Sequence, residues 1–290
     1  MPSVYPCMSL APAGSALEKN HLTGEMFRGL YFRLNVAYPN SPSLSNAEQG
    51  AENLNTQLLA RAGKKIVCGH SMGAQVIYKW MRDYGPDSTV DPADVAFISS
   101  GNMERKYGGI AHVTGGNISG VPIVAAYDGN GLPTECPWRV IDVARQYDPF
   151  ADYPKTSGTS AAKWQDNINK SFALIVNNPH KDYTKVSLVD PGNVWFNEGT
   201  VSYVLVPTFP LPLVAKTYWY LVASKQAERE AVLRPVVESN YDRPFPSIPQ
   251  ASPVVKTSKW QPWGWNTASS AWERAHRQQV ERQPPFNMFF

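Results

Sequence analysis

Short apolar runs alternate with longer amphipathic stretches along the first half of the chain. "SVYPCMSLAPAGS" reads as a strand running into a small-residue loop, and "RGLYFRLNVAYPNS" as a second strand stopped by Pro39. "SNAEQGAENLNTQLLARAG" has helical periodicity, with Leu54, Leu58 and Leu59 near one face and Gly63 placed to end it. "KIVCG" is a short apolar strand. "AQVIYKWMRDYG" is a helix closed by Gly85-Pro86. "DVAFISSGN" and "VPIVAAYDGNG" are two more strands that end in polar or glycine-rich loops. Strand–helix–strand alternation at this spacing predicts a mainly parallel central sheet with helices on both faces. In such sheets, functional residues gather beyond the carboxyl ends of the strands.

The pattern changes near residue 244. "PFPSIPQASPVVKTSKWQPWGWNTASSAWERAHRQQVERQPPFNMFF" is rich in Pro, Ser and Gln and carries Trp260, Trp263, Trp265 and Trp272. Residues 1–244 are therefore read as one domain and 245–290 as a Trp/Pro-rich tail. The tail is expected to pack its tryptophans either on its own domain or on another chain, since Trp anchors are favoured at interfaces.

Composition narrows the function classes. With 27 basic and 24 acidic residues, the net charge is +3. That is too even for nucleic acid as the main partner, which calls for a concentrated basic face. No apolar run is long enough to span a membrane, and the first twenty residues lack the basic and apolar regions of a signal peptide. Three cysteines, Cys7, Cys68 and Cys136, have neither metal-like spacing nor the density of a disulfide framework. Cys68, inside an apolar run, reads as a small buried hydrophobe. The set argues against a zinc site.

The candidate chemistry lies in "KKIVCGHSMGAQVIYKW". Gly69-His70-Ser71-Met72-Gly73 is G-x-S-x-G, with a strand before it and a helix after it. In that context the serine occupies a strained turn that exposes Oγ above the sheet edge, and the helix N-terminus behind it favours an oxyanion. A nucleophilic serine in such a fold needs a later acid and then a histidine. Of five histidines, His21 precedes the serine, His70 lies inside the turn, His112 precedes any plausible acid strand, and His276 is in the tail. His180, in the polar loop "VNNPHKDY", is left. The acid comes from "RVIDVARQYDPFADYP". A strand over Val143–Tyr147 would put Asp148 at its end, the position suited to orienting an imidazole, with Asp152 as the alternative and Asp142 at the wrong end. The oxyanion donors would be the N–H of Met72 and a backbone N–H in the loop "SLAPAGSA", at the Gly14-Ser15 step.

Several stretches together resemble the PE-PPE domain, a family of cutinase-like serine α/β-hydrolases of mycobacteria and their phages. In order they are "NVAYPNSPSLSNAEQGAENL", "VCGHSMGAQVIYKW", "DVAFISSGNMERKYGGI", "VARQYDPFADYP", "HKDYTKVSLVDPGNV", "VSYVLVPTFPLPLV" and "LRPVVESNYDRP". The resemblance implies an α/β-hydrolase fold. It puts the family's serine on Ser71, its histidine on His180, its acid within "QYDPFAD" and its early glycine turn near Gly14-Ser15. The family usually has an aromatic residue before the serine and Gln after it, where this chain has His70 and Met72. The implied activity is esterase action on acyl esters, with cell-envelope lipids as substrates and no cofactor. An isolated domain of this kind is similar to copies encoded by mycobacteriophages. That likeness implies a virion component, in the tail of the particle, that assembles through residues 245–290; otherwise a cytoplasmic location is expected. A structural or host-binding protein on a hydrolase fold, and acyl transfer to an acceptor other than water, are the competing readings.

Overall fold

A computed structural model describes residues 5–12, 16–27, 31–39, 41–114, 131–133, 136–154, 179–181, 183–218, 220–245 and 248. Seven strands form one sheet: β1 (Tyr5–Leu10), β2 (Tyr31–Asn35), β3 (Lys65–His70), β4 (Val95–Ser100), β5 (Arg139–Arg145), β6 (Val194–Glu198) and β7 (Val201–Val206). Their order is β2-β1-β3-β4-β5-β7-β6. Every pairing is parallel except the β6–β7 hairpin at one edge, where Gly199 takes a positive φ of 58° in the turn. Among the described residues the α-helices are α1 (Leu44–Leu59), α2 (Met72–Asp83), α3 (Ile110–Thr114), α4 (Pro212–Thr217) and α5 (Ala223–Glu238). This is the mainly parallel sheet that the alternation predicts. The expected strand in "VPIVAAYDGN" and the four tail tryptophans lie outside the described residues.

Alternate residues of each central strand sort into two cores, as a period of two requires. Met8, Leu10, Val67, Phe97, Val140 and Leu205 face α1 and α2 in one cluster. Cys7, Ile66, Cys68, Ile98, Ile141 and Val204 face the other way. Among the described residues that second face is covered by Leu17, by Leu22 and Met26 of a short 3-10 segment (His21–Phe27), and by Tyr183, Val186 and Leu188 of the loop after His180. All three cysteines are buried free thiols.

Helix α1 starts at an N-cap, where the Ser43 hydroxyl accepts the Asn46 N–H at 3.1 Å. Leu54 and Leu58 are buried as expected, but Leu59 is 53% exposed. One residue past the buried Leu58, it has rotated about 100° off the buried stripe. The helix ends at Leu59, and Gly63, at φ 76°, turns the chain into β3 instead of capping the helix. β5 also begins earlier than read, at Arg139 instead of Val143, so Asp142 lies inside the strand. A carboxylate is tolerated there because Tyr78 donates its hydroxyl proton to Asp142 and the Arg105 guanidinium lies 3.6 Å away.

The apolar core continues past residue 244. Phe245 belongs to the α1–α2 cluster and Ile248 packs against it. Truncation after Arg243 is therefore expected to lower the thermal midpoint clearly relative to truncation after Ile248, through loss of Phe245 burial, about 3 kcal/mol. Thermal unfolding of the two truncated proteins checks this.

Candidate active site

Ser71 sits between the last residue of β3 and the first of α2, with φ 55° and ψ −117°. A non-glycine residue in this region costs roughly 1–3 kcal/mol and persists only where its surroundings enforce it. Here the Ser71 N–H donates to the Ser100 carbonyl at 2.9 Å, and the Ser71 carbonyl accepts from Ala74 and Gln75 at 3.0 and 3.1 Å. The flanking glycines have a steric cause. A Cβ on Gly69 would lie 2.4 Å from the Gly73 carbonyl oxygen, and one on Gly73 would lie 2.4 Å from that of Leu10. The second contact brings the loop after β1 against the turn, and Tyr38 donates its hydroxyl proton to Ala11 in that loop. Met72 opens α2, so its N–H has no acceptor within the helix. Ser15 lies outside the described residues.

The structure brings Ser71, His180 and Asp148 together. His180 Nε2 is 2.9 Å from Ser71 Oγ, and its Nδ1 is 3.0 Å from both carboxylate oxygens of Asp148. A carboxylate only accepts, so Nδ1 carries the proton and Nε2 presents a lone pair to the serine hydroxyl. All three residues are buried. Asp148 lies beyond the end of β5, after Tyr147, which takes a positive φ of 68°. The amides of Phe150 and Ala151 donate to its Oδ1 at 2.9 and 3.2 Å, and the Tyr183 hydroxyl donates to its Oδ2 at 2.8 Å. Burial alone would push this carboxyl up. The His180 imidazole opposite it, and the bonds from His180, Phe150 and Tyr183, outweigh that effect and hold it at about 2.

Asp152, the alternative acid, is engaged elsewhere. Arg243 bonds both of its oxygens, Nε to Oδ1 at 2.8 Å and NH2 to Oδ2 at 2.5 Å, and the Tyr147 N–H donates to Oδ2 at 2.7 Å. Arg243 also reaches Glu238 at the end of α5. Asp152 thus ties the turn that carries Asp148 to α5.

The remaining histidines divide. His112 is exposed on α3, and His276 lies outside the described residues. His70, inside the turn, donates Nδ1–H to the Ser100 carbonyl at 3.1 Å. Its ring lies 5.0 Å from that of His180, centroid to centroid. Burial, and then the neighbouring His180, press its pKa down to about 3, so it is neutral. His21 stands behind it, its ring 5.0 Å away. Its Nε2 lies 2.8 Å from Ser100 Oγ, which donates in turn to the Gly69 carbonyl at 3.0 Å. A hydroxyl has one proton, so His21 is the donor in that pair. Chain order excludes His21 as the base, and its place inside the turn excludes His70, but neither argument bears on a supporting role.

His180 is held between Phe150, edge-on with centroids 4.5 Å apart, and the His70–Gly101 side. A Cβ on Gly101, whose φ is 59°, would lie 2.8 Å from His70 Cε1 and 3.1 Å from His180 Cε1. Gly101→Ala is therefore expected to lower kcat by about 10²-fold through displacement of the imidazole, with KM changed far less. Steady-state kinetics on the folded variant measures it. The only sign of this position in the sequence was a glycine just past a strand end.

The model of the PE-PPE domain matches residues 35–242. The chain belongs to the PE-PPE domain family. Its members' lipase- and esterase-like α/β-hydrolase architecture is the one seen here, with the serine turn after the third strand of the chain. No curated protein matches the chain. Among solved structures, a cutinase-like protein from Cryptococcus sp. aligns at 15% identity over 58% of this chain and 90% of its own, with a TM-score of 0.39. The type II thioesterase BorB from the borrelidin biosynthetic cluster aligns at 14% identity over 83% of this chain and 92% of its own, with a TM-score of 0.38. RedJ, a thioesterase from the prodiginine pathway of Streptomyces coelicolor, aligns at 16% identity over 52% of this chain and 73% of its own, with a TM-score of 0.28.

Proposed function

We propose that this PE-PPE domain is a serine hydrolase of acyl esters, with Ser71 as nucleophile, His180 as general base and Asp148 as the acid that orients it. The observation that carries the reading is the continuous set of bonds through one imidazole, Nε2 to Ser71 Oγ at 2.9 Å and Nδ1 to Asp148 at 3.0 Å. In the forward step His180 takes the Ser71 proton as Oγ attacks the ester carbonyl, and the buried Asp148 anion stabilises the imidazolium that results. Charge developing on the carbonyl oxygen would meet the Met72 N–H and the positive end of α2. The second oxyanion donor is proposed in the loop after β1, at or near Ser15. His180 then returns the proton to the leaving alcohol, and water repeats the sequence on the acyl-enzyme. The three groups are chemically sufficient for this cycle without a cofactor.

Turnover of p-nitrophenyl esters of increasing acyl length tests the activity and its substrate range together. Release of p-nitrophenol above the buffer rate from short- and medium-chain esters is expected. Adding a sugar acceptor to the same assay separates hydrolysis from acyl transfer, because a transferase would form the sugar ester at the expense of free acid.

A further inference from the structure

We propose that Tyr183 is a positioning residue for the catalytic acid, donating the hydrogen bond that fixes Asp148 Oδ2 while Asp148 Oδ1 is fixed by the amides of its own turn. The inference rests on the reading of Asp148 as the triad acid, and it extends the site to a fourth side chain.

The direction of the bond follows from the partners. Tyr183 is fully buried. Its oxygen lies 3.0 Å from the N–H of Arg145, the last residue of β5, and 2.8 Å from Asp148 Oδ2. An amide N–H can only donate, so the phenol accepts there. Its single proton is then available to the carboxylate, which can only accept. Burial, and then the Asp148 charge, push the phenol's pKa well up, so the proton stays on the tyrosine.

The placement of the ring also matters. Tyr183 follows His180 by three residues, so one loop supplies both the base and a clamp on the base's partner. The loop is itself anchored. The Leu22 N–H donates to the Tyr183 carbonyl at 3.0 Å. Ser187 Oγ and the Leu188 N–H donate to the Glu25 carboxylate at 2.6 and 3.2 Å. The tyrosine ring packs against His70 at 4.9 Å and lies nearly parallel to His21 at 5.9 Å. A shift of the His180 loop would therefore move the imidazole and the tyrosine hydroxyl together, so their two contacts with Asp148 are made or lost as one unit. With Oδ1 bonded to Phe150 and Ala151 and Oδ2 to Tyr183, the carboxylate cannot rotate away from the imidazole without breaking a charge-assisted bond.

Tyr183→Phe removes only the hydroxyl. A lost bond to a charged acceptor corresponds to a fall in kcat of about 10- to 100-fold, and KM should stay within about two-fold. Because the effect passes through Asp148, the same substitution in an Asp148→Asn background should cost less than about two-fold. A Tyr183→Phe variant with wild-type kcat overturns the proposal, and so does an equal loss in both backgrounds, the signature of a merely structural role. A second arm needs neither activity nor loss of a contact: 3-fluorotyrosine placed site-specifically at position 183 and observed by ¹⁹F NMR. Its resonance is expected to move when Asp148 is replaced by Asn, and an unmoved resonance overturns the proposal. If the wild-type chain turns over no ester while the resonance does move, the hydrolase reading fails and the Tyr183–Asp148 bond stands.

Discussion

Ser71→Ala is expected to lower ester turnover by about 10⁴-fold or more, to the level of the buffer reaction. The side chain contributes chemistry and little packing: its oxygen meets His180 Nε2 at 2.9 Å, and the backbone bonds that hold the turn come from its N–H and carbonyl. Alanine can occupy the same φ of 55° at about the strain serine already bears. The thermal midpoint should therefore stay within a few degrees of wild type. Kinetics and thermal unfolding on one preparation measure both quantities. A large fall in midpoint would move the role of Ser71 from chemistry to folding.

The second large effect separates the two aspartates. Asp148→Asn is expected to lower kcat by about 10⁴-fold, because an amide opposite His180 Nδ1 stabilises the wrong tautomer and no longer balances the imidazolium. The same change at Asp152 should leave kcat within about ten-fold. Its cost should appear in stability, about 3 kcal/mol, because Arg243 would lose one of its two carboxylate partners while its side chain is only 3% exposed. Burial opposes the charge on Arg243, yet Asp152 and then Glu238 more than compensate and raise its pKa, so it does not escape by losing a proton. Denaturant unfolding and steady-state rates on the two variants should therefore give opposite rankings. If Asp152→Asn is the inactive one, the acid has been assigned to the wrong residue.

The ease of reading this chain follows from where the information lies. β3 and β4 are buried on both faces, and "IVC" and "VAFI" show it as unbroken apolar runs. Ser71 was legible because the steric demands of its turn are local and fall on Gly69 and Gly73. Asp148 was not fully separable from Asp152, since both lie in one buried turn and the difference depends on Arg243, which is 91 residues from Asp152. β5 was read short because a charged residue interrupts it, and the partners that make Asp142 tolerable, Tyr78 and Arg105, come from other elements. His21, His70 and Tyr183 went unread as a group for the same reason. Their meeting depends on a loop before β2, the serine turn and the histidine loop converging over one sheet face, and no spacing in the sequence encodes that.

Reaction of the purified protein with a fluorophosphonate probe, mapped by mass spectrometry, tests the central claim most directly. The probe phosphonylates only a serine whose hydroxyl is activated by a neighbouring base. One probe per chain, on the peptide containing Ser71 and lost in Ser71→Ala, is the predicted result. An unlabelled wild-type protein, or one labelled elsewhere to the same extent in Ser71→Ala, would contradict the account.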